Sequence, residues 1–151
     1  MGEVGAGRAR GQAESQREVR TIRTARLQGQ DDRESQDMEE RSFQFAVAVV
    51  RLGTELSDHA PRKLLDRIVG LGTDLGADVA EAFASHSRRT YLSRLESARR
   101  ISREMGYWLK LLIGAELAGA DTVRPFLDEA HALHTILTTL CSRVRQEVES
   151  D

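Results

Sequence analysis

The residues best placed to do chemistry are arginines. Arg88, Arg89, Arg94, Arg99, Arg100 and Arg103 crowd into one stretch, relieved only by Glu96 and Glu104. Guanidinium groups grouped on one side of a helix suit contact with phosphates, and this set is the candidate nucleic-acid-binding surface. A solubilising face with local ion pairs is the plainer use of the same pattern. A second pair lies downstream. Arg124 and His131 are seven residues apart, so two helical turns bring them to one face. Asp128-x-x-His131 has half of a di-iron helix motif, but no second copy and no further glutamates accompany it, so no metal site and no cofactor are expected. Cys141 is the one cysteine, which excludes an internal disulfide; it falls on an apolar stripe and reads as core. No glycine-rich phosphate loop and no Ser/His/Asp set is present.

These residues need a scaffold, and the hydrophobic spacing supplies helices. Over 62–84, Leu64, Ile68, Leu71, Leu75, Val79 and Phe83 recur at steps of three and four. Gly72, Gly76 and Ala80, four apart, form a second stripe almost without side chains. Each glycine costs a helix about 1 kcal/mol against alanine, so this spacing predicts another helix close against the backbone. Over 39–57, Phe43, Ala46, Val47 and Val50 make one apolar stripe, and Phe45, Val49, Leu52 and Leu56 make another on nearly the opposite side. One face can line a core. The second, taken as Phe45, Val49, Leu52 and Leu56, is the candidate oligomer interface; a central helix wrapped by its own chain is the alternative.

The third helix is expected over 89–118, with Tyr91, Leu95, Ala98, Ser102, Met105, Leu109 and Leu112 as its packing seam. Gly119 and Ala120 are expected to end it. The fourth spans 122–148, with Pro125 inside its first turn, where proline is tolerated. Short connections favour an antiparallel, up-and-down four-helix bundle over 38–151 in an all-α chain.

Residues 1–37 have another composition, rich in Gly, Gln, Ser, Arg and acidic residues, and read as a disordered polar arm or a frayed helix. Arg17, Arg20, Arg23 and Arg26 would edge such a helix, balanced by Glu14, Glu18, Asp31 and Asp32. Met38 is an alternative start of the natural protein. A formal net charge of −2 gives no global case for nucleic acid, although a local basic patch remains open. No apolar run reaches the ~18 residues of a membrane span, and the first residues lack a secretory core, so the expectation is a cytoplasmic protein away from the membrane.

The stretch from Leu64 to Leu117 resembles the small four-helix bundle proteins encoded in intervening sequences of 23S ribosomal RNA genes. Asp66-Arg67-Ile68 and Ala77-Asp78-Val79-Ala80-Glu81-Ala82-Phe83 match that family's second helix, Ser87–Leu95 its basic and aromatic third-helix start, and Glu116-Leu117-Ala118-Gly119 its helix end. Gly76 stands where the family often has proline, and Ala82 where it has glycine. The resemblance implies a homopentamer and carries no catalytic residues. It also points to a relative of the family, the accessory variability protein of diversity-generating retroelements, which binds a reverse transcriptase and nucleic acid.

The expectation is therefore a non-enzymatic, self-associating binding or scaffolding module, with RNA or a reverse transcriptase as partner. The competing expectation is a metal-independent ribonuclease, because the Arg124–His131 spacing resembles the Arg-x(4–6)-His motif of HEPN-type ribonucleases. Pro125 departs from that family's usual polar residue after the arginine.

Overall fold

The computed structural model describes the backbone of residues 4–150 and the side chains of 10–17 and 33–150. Those residues form helices and no strand: α1 Val4–Glu55, α2 Arg62–Ala84, α3 Arg88–Gly114 and α4 Ala120–Ser150. The chain divides into two units, Met1–Asp37 and Met38–Asp151.

In the first unit the backbone is helical from Val4, in keeping with the helical alternative for the polar arm. The segment contains no proline and is rich in Ala, Arg, Gln and Glu, the strong helix formers, with opposite charges four apart at Arg10 and Glu14. Residues 10–17 are exposed, as expected of a helix without an apolar stripe. The side chains of Arg20, Arg23 and Arg26 lie outside the described residues.

The second unit is a helical bundle around one apolar core. Its helix directions follow from its contacts. Gly53 meets Val69, Val49 meets Gly72 and Ala46 meets Gly76, so α1 and α2 run antiparallel. Asp78 bonds Arg94 and Ser97, and Arg67 bonds Glu104, so α2 and α3 do too. Arg88 pairs with Glu147 and His134 bonds the Arg99 carbonyl, which sets α3 against α4 in the same sense.

The core corrects the reading of α1. Phe45, Val49, Leu52 and Leu56, the stripe assigned to a subunit contact, are buried inside the chain's own core. Of the opposite stripe, Phe43 and Val50 face out, 57% and 43% exposed, while Ala46 and Val47 are half-buried. The two stripes are of similar hydrophobicity, and α2 decides between them. Its Gly72 leaves a hollow that Val49 fills, and Ala46 sits against Gly76. In α2 the buried stripe is Leu65, Ile68, Leu71, Leu75, Val79 and Ala82, so Leu64 and Phe83 lie at its half-buried edge rather than in it.

α3 ends earlier than expected. Ala115 is the C-cap, and Glu116 takes a left-handed conformation at φ 58°. The Glu116 N–H donates to the Ile113 carbonyl and the Leu117 N–H to the Leu112 carbonyl. That is a Schellman closure with glutamate where glycine is usual. Gly119 instead accepts the first bonds of α4, from the N–H groups of Thr122 and Val123. Pro125 consequently lies beyond the first turn, inside α4, and the Asp121 carbonyl loses its helical donor.

Candidate nucleic-acid interface

The arginine-rich stretch does not act as one surface. Ser87 caps α3 by accepting from the Thr90 N–H, which fixes where the helical phase of the arginines begins. Arg88 points to Glu147 at 3.4 Å. Arg94 donates to Asp78 Oδ1 at 3.1 Å, and Ser97 Oγ donates to Asp78 Oδ2 at 2.6 Å. Asp78 is buried, so these bonds are what makes its burial tolerable. Arg88 and Arg94 thus tie α3 to its neighbours. Arg89 is exposed at the start of the helix, apart from the rest.

Arg99, Arg100 and Arg103 behave differently. With Glu96, Ser97 and His134 they line a cleft of about 540 Å³ between α3 and α4. A larger cleft of about 740 Å³ continues it, sharing Arg103 and His134. Its α3 wall adds Gly106, Tyr107 and Lys110; its α4 wall adds Arg124, Asp128 and His131. Steps of three and four from Arg99 to Lys110, and from Arg124 to His134, place each set on one helix face. The two clefts together make one groove.

Its electrostatics are one-sided. Arg100, Arg103, Lys110 and Arg124 are exposed, and among the described residues none of them has an ion pair within 4 Å. Of the facing carboxylates, Glu96 is taken by Arg145, which leaves Asp128. The Nε of Arg99 is buried without a hydrogen-bond partner. His134 is anchored: its Nδ1 lies 3.2 Å from the Arg99 carbonyl oxygen and 3.3 Å from Ser102 Oγ. Ser102 gives its own proton to that same carbonyl, at 2.6 Å. A carbonyl can only accept, so Nδ1 carries the proton and Nε2 is the nitrogen His134 has free to offer.

One aromatic stands at the groove. Tyr107 is 62% exposed and meets Trp108 edge-on, with ring centroids 5.3 Å apart at 83°. Trp108 is itself held, since its Nε1–H donates to Glu104 Oε1 at 3.2 Å and the Arg67 guanidinium lies 5.9 Å over its ring. Those bonds, Arg67 first and Trp108 second, hold the Glu104 carboxyl below its usual range.

Sequence reasoning places Arg124 and His131 on one face of one helix, and the structure adds that this face opens on Arg103 of another. It does not anticipate Gly106, Tyr107 or Lys110, since their role depends on where α4 lies. Among the described residues no three His, Cys, Asp or Glu side chains cluster as metal ligands would. Cys141 is buried, and desolvation pushes its thiol up from the ordinary value. No described helix is long and apolar enough to cross a membrane.

No protein-family model and no curated protein matches the chain. Among solved structures, it is similar to the crystal structure of a protein of unknown function from the S23 ribosomal protein family of Bacteroides thetaiotaomicron. The two are 25% identical with a TM-score of 0.67, over 72% of this chain and 98% of that one. The helical bundle is a fold shared with that family member.

Proposed function

We propose that this chain is a non-enzymatic, oligomeric four-helix bundle that binds RNA, or a reverse transcriptase carrying RNA, as an accessory or scaffolding factor. The observation that supports it is the groove between α3 and α4, where Arg99, Arg100, Arg103, Lys110 and Arg124 converge against the single unpaired carboxylate of Asp128. Cations held without ion pairs repel one another, and a polyanion relieves that repulsion by displacing counterions. The binding set is therefore Arg99, Arg100 and Arg103, extended into α4, with Arg88 and Arg94 left to structure.

Self-association is part of the reading. The exposed Phe43 and Val50 lie on the outer stripe of α1 with the half-buried Val47 between them, and an apolar stripe of this kind suits a subunit contact. The resemblance to the intervening-sequence proteins makes a homopentamer the expected assembly. The test is solution mass by light scattering on the full chain, with and without a structured RNA at low salt. A pentamer whose mass rises with RNA, and stops rising when Arg99, Arg100 and Arg103 are changed to alanine, supports the reading. A monomer indifferent to RNA contradicts it.

A second reading has its own observation: Arg124, Asp128 and His131 share the groove with the cations that would hold a phosphate backbone. A metal-independent ribonuclease would cleave RNA in the presence of a chelator and lose that activity in His131→Ala.

A further inference from the structure

We propose that the groove between α3 and α4 is a site for single-stranded nucleic acid, in which a base stacks on Tyr107 while Arg103, Lys110 and Arg124 hold the flanking phosphates. The inference rests on the nucleic-acid reading above and deepens it, by stating which form of the polymer binds and where.

The aromatic comes first. A tyrosine ring 62% exposed on a bundle helix leaves apolar surface in water. Tyr107 is braced on Trp108, and Trp108 is braced by Glu104 and Arg67, so the ring stands on a rigid platform. Exposed aromatics between cations are the hallmark of single-strand sites, because an unpaired base offers a π-face and a paired one does not. Lys110 follows Tyr107 by one turn of α3 and Arg103 precedes it by one turn, so a cation lies on each side of the ring along the groove.

The floor comes next. Gly106 lies in the middle of α3, where glycine costs a helix about 1 kcal/mol against alanine. Packing does not ask for it: a Cβ built there meets nothing within 4 Å. Its effect is to leave the groove open beside Tyr107, between Arg103 and Lys110. This glycine differs from Gly72, whose hollow is already filled by Val49.

The ring and the length of the groove define the ligand. Tyr107, exposed between Arg103 and Lys110, meets the π-face that an unpaired base presents. From Arg99 to Lys110 the α3 wall is about 16 Å long. A stacked strand advances about 3.4 Å per nucleotide, so the groove covers about four or five.

The experiment uses the full chain and fluorescein-labelled oligonucleotides of about eight nucleotides: single-stranded RNA, single-stranded DNA of the same sequence, and the RNA duplex. Anisotropy gives affinity, and quenching of Trp108, the protein's only tryptophan, reports a base beside Tyr107. The proposal expects either single strand to bind at least ~10-fold tighter than the duplex. Tyr107→Ala should lose about 10-fold, Tyr107→Phe should recover most of it, and Gly106→Gln should block binding with every cation retained and the melting temperature unchanged or raised. A duplex bound as well as the single strands, or Tyr107→Ala at full affinity in a folded protein, overturns the groove while leaving nucleic-acid binding standing elsewhere. Failure to bind any of the three overturns both readings.

Discussion

The seam between α1 and α2 and the groove between α3 and α4 solve opposite problems with the same residue type. In the seam, Gly72 and Gly76 remove side chains so that Val49 and Ala46 can press against the α2 backbone. The space is filled, and the gain is close dispersion contact and dry apolar surface. In the groove, Gly106 removes a side chain and nothing takes its place. Long cations stand around it without partners within salt-bridge distance. A helix accepts the cost of glycine in both places, but the chain itself repays it only in the seam. Under the proposal above, what repays the cost at Gly106 is the nucleotide strand that approaches there.

The sharpest way to break this comparison is to put a methyl group in each place. Gly72→Ala sets a Cβ 2.7 Å from Val49 Cγ1 and 2.9 Å from Val49 Cβ. Valine is stiff at χ1 and cannot swing away, so the helices must separate, and the expected loss is about 1–3 kcal/mol in urea unfolding. Gly106→Ala should move the other way, gaining about 0.5–1 kcal/mol from helix propensity alone. Equal losses at both positions would mean that the groove is packed more tightly than its geometry shows.

A smaller effect sharpens the account of how α3 is closed before the groove's far wall begins. Glu116 holds a left-handed conformation that glycine adopts freely. Glu116→Gly should raise stability by up to about 1 kcal/mol, read as a higher denaturation midpoint with an unchanged m-value.

The smallest effect concerns the brace under Tyr107. The bonds from Arg67 and Trp108 lower the folded-state pKa of Glu104, so folding favours its ionised form. Its contribution is present above the unfolded carboxyl value, about 4.3, and is lost as pH falls through the lower folded value. Melting temperature should therefore drop on acidification below about pH 5, and Glu104→Gln should flatten part of that limb. An identical acid limb in the variant would show that the brace adds nothing to the fold.

Much of the scaffold was legible because helical spacing is local. The steps from Ile68 to Val79 and from Leu95 to Leu112 name core residues without reference to any neighbour. The faces of α1 were not legible, because both of its stripes are apolar, and only the hollow at Gly72 on another helix chooses between them. The α3 end was misplaced for a related reason: Gly119 looks like a stop signal, but the Leu112 and Ile113 carbonyls were already satisfied by a left-handed glutamate. At the site, composition showed that arginines cluster. It could not show that Arg88 and Arg94 are spent on Glu147 and Asp78, or that Arg124 and His131 arrive from α4 to face Arg103. That pairing of faces is a long-range property. The signal available in sequence was Gly106-Tyr107 inside an otherwise regular helix.

The most direct test of the account is the salt dependence of single-stranded RNA binding by the full chain. It should be measured for the wild type, for Arg103→Ala with Arg124→Ala, and for Arg88→Ala with Arg89→Ala. Each phosphate contact contributes about 0.7 to the slope of log affinity against log salt for a single strand. The account predicts that the groove pair lowers that slope by about 1.4, with stability within about 0.5 kcal/mol of wild type, and that the Arg88 and Arg89 pair leaves it nearly unchanged. A slope insensitive to Arg103 and Arg124, or one that falls with Arg88 and Arg89 instead, would contradict it.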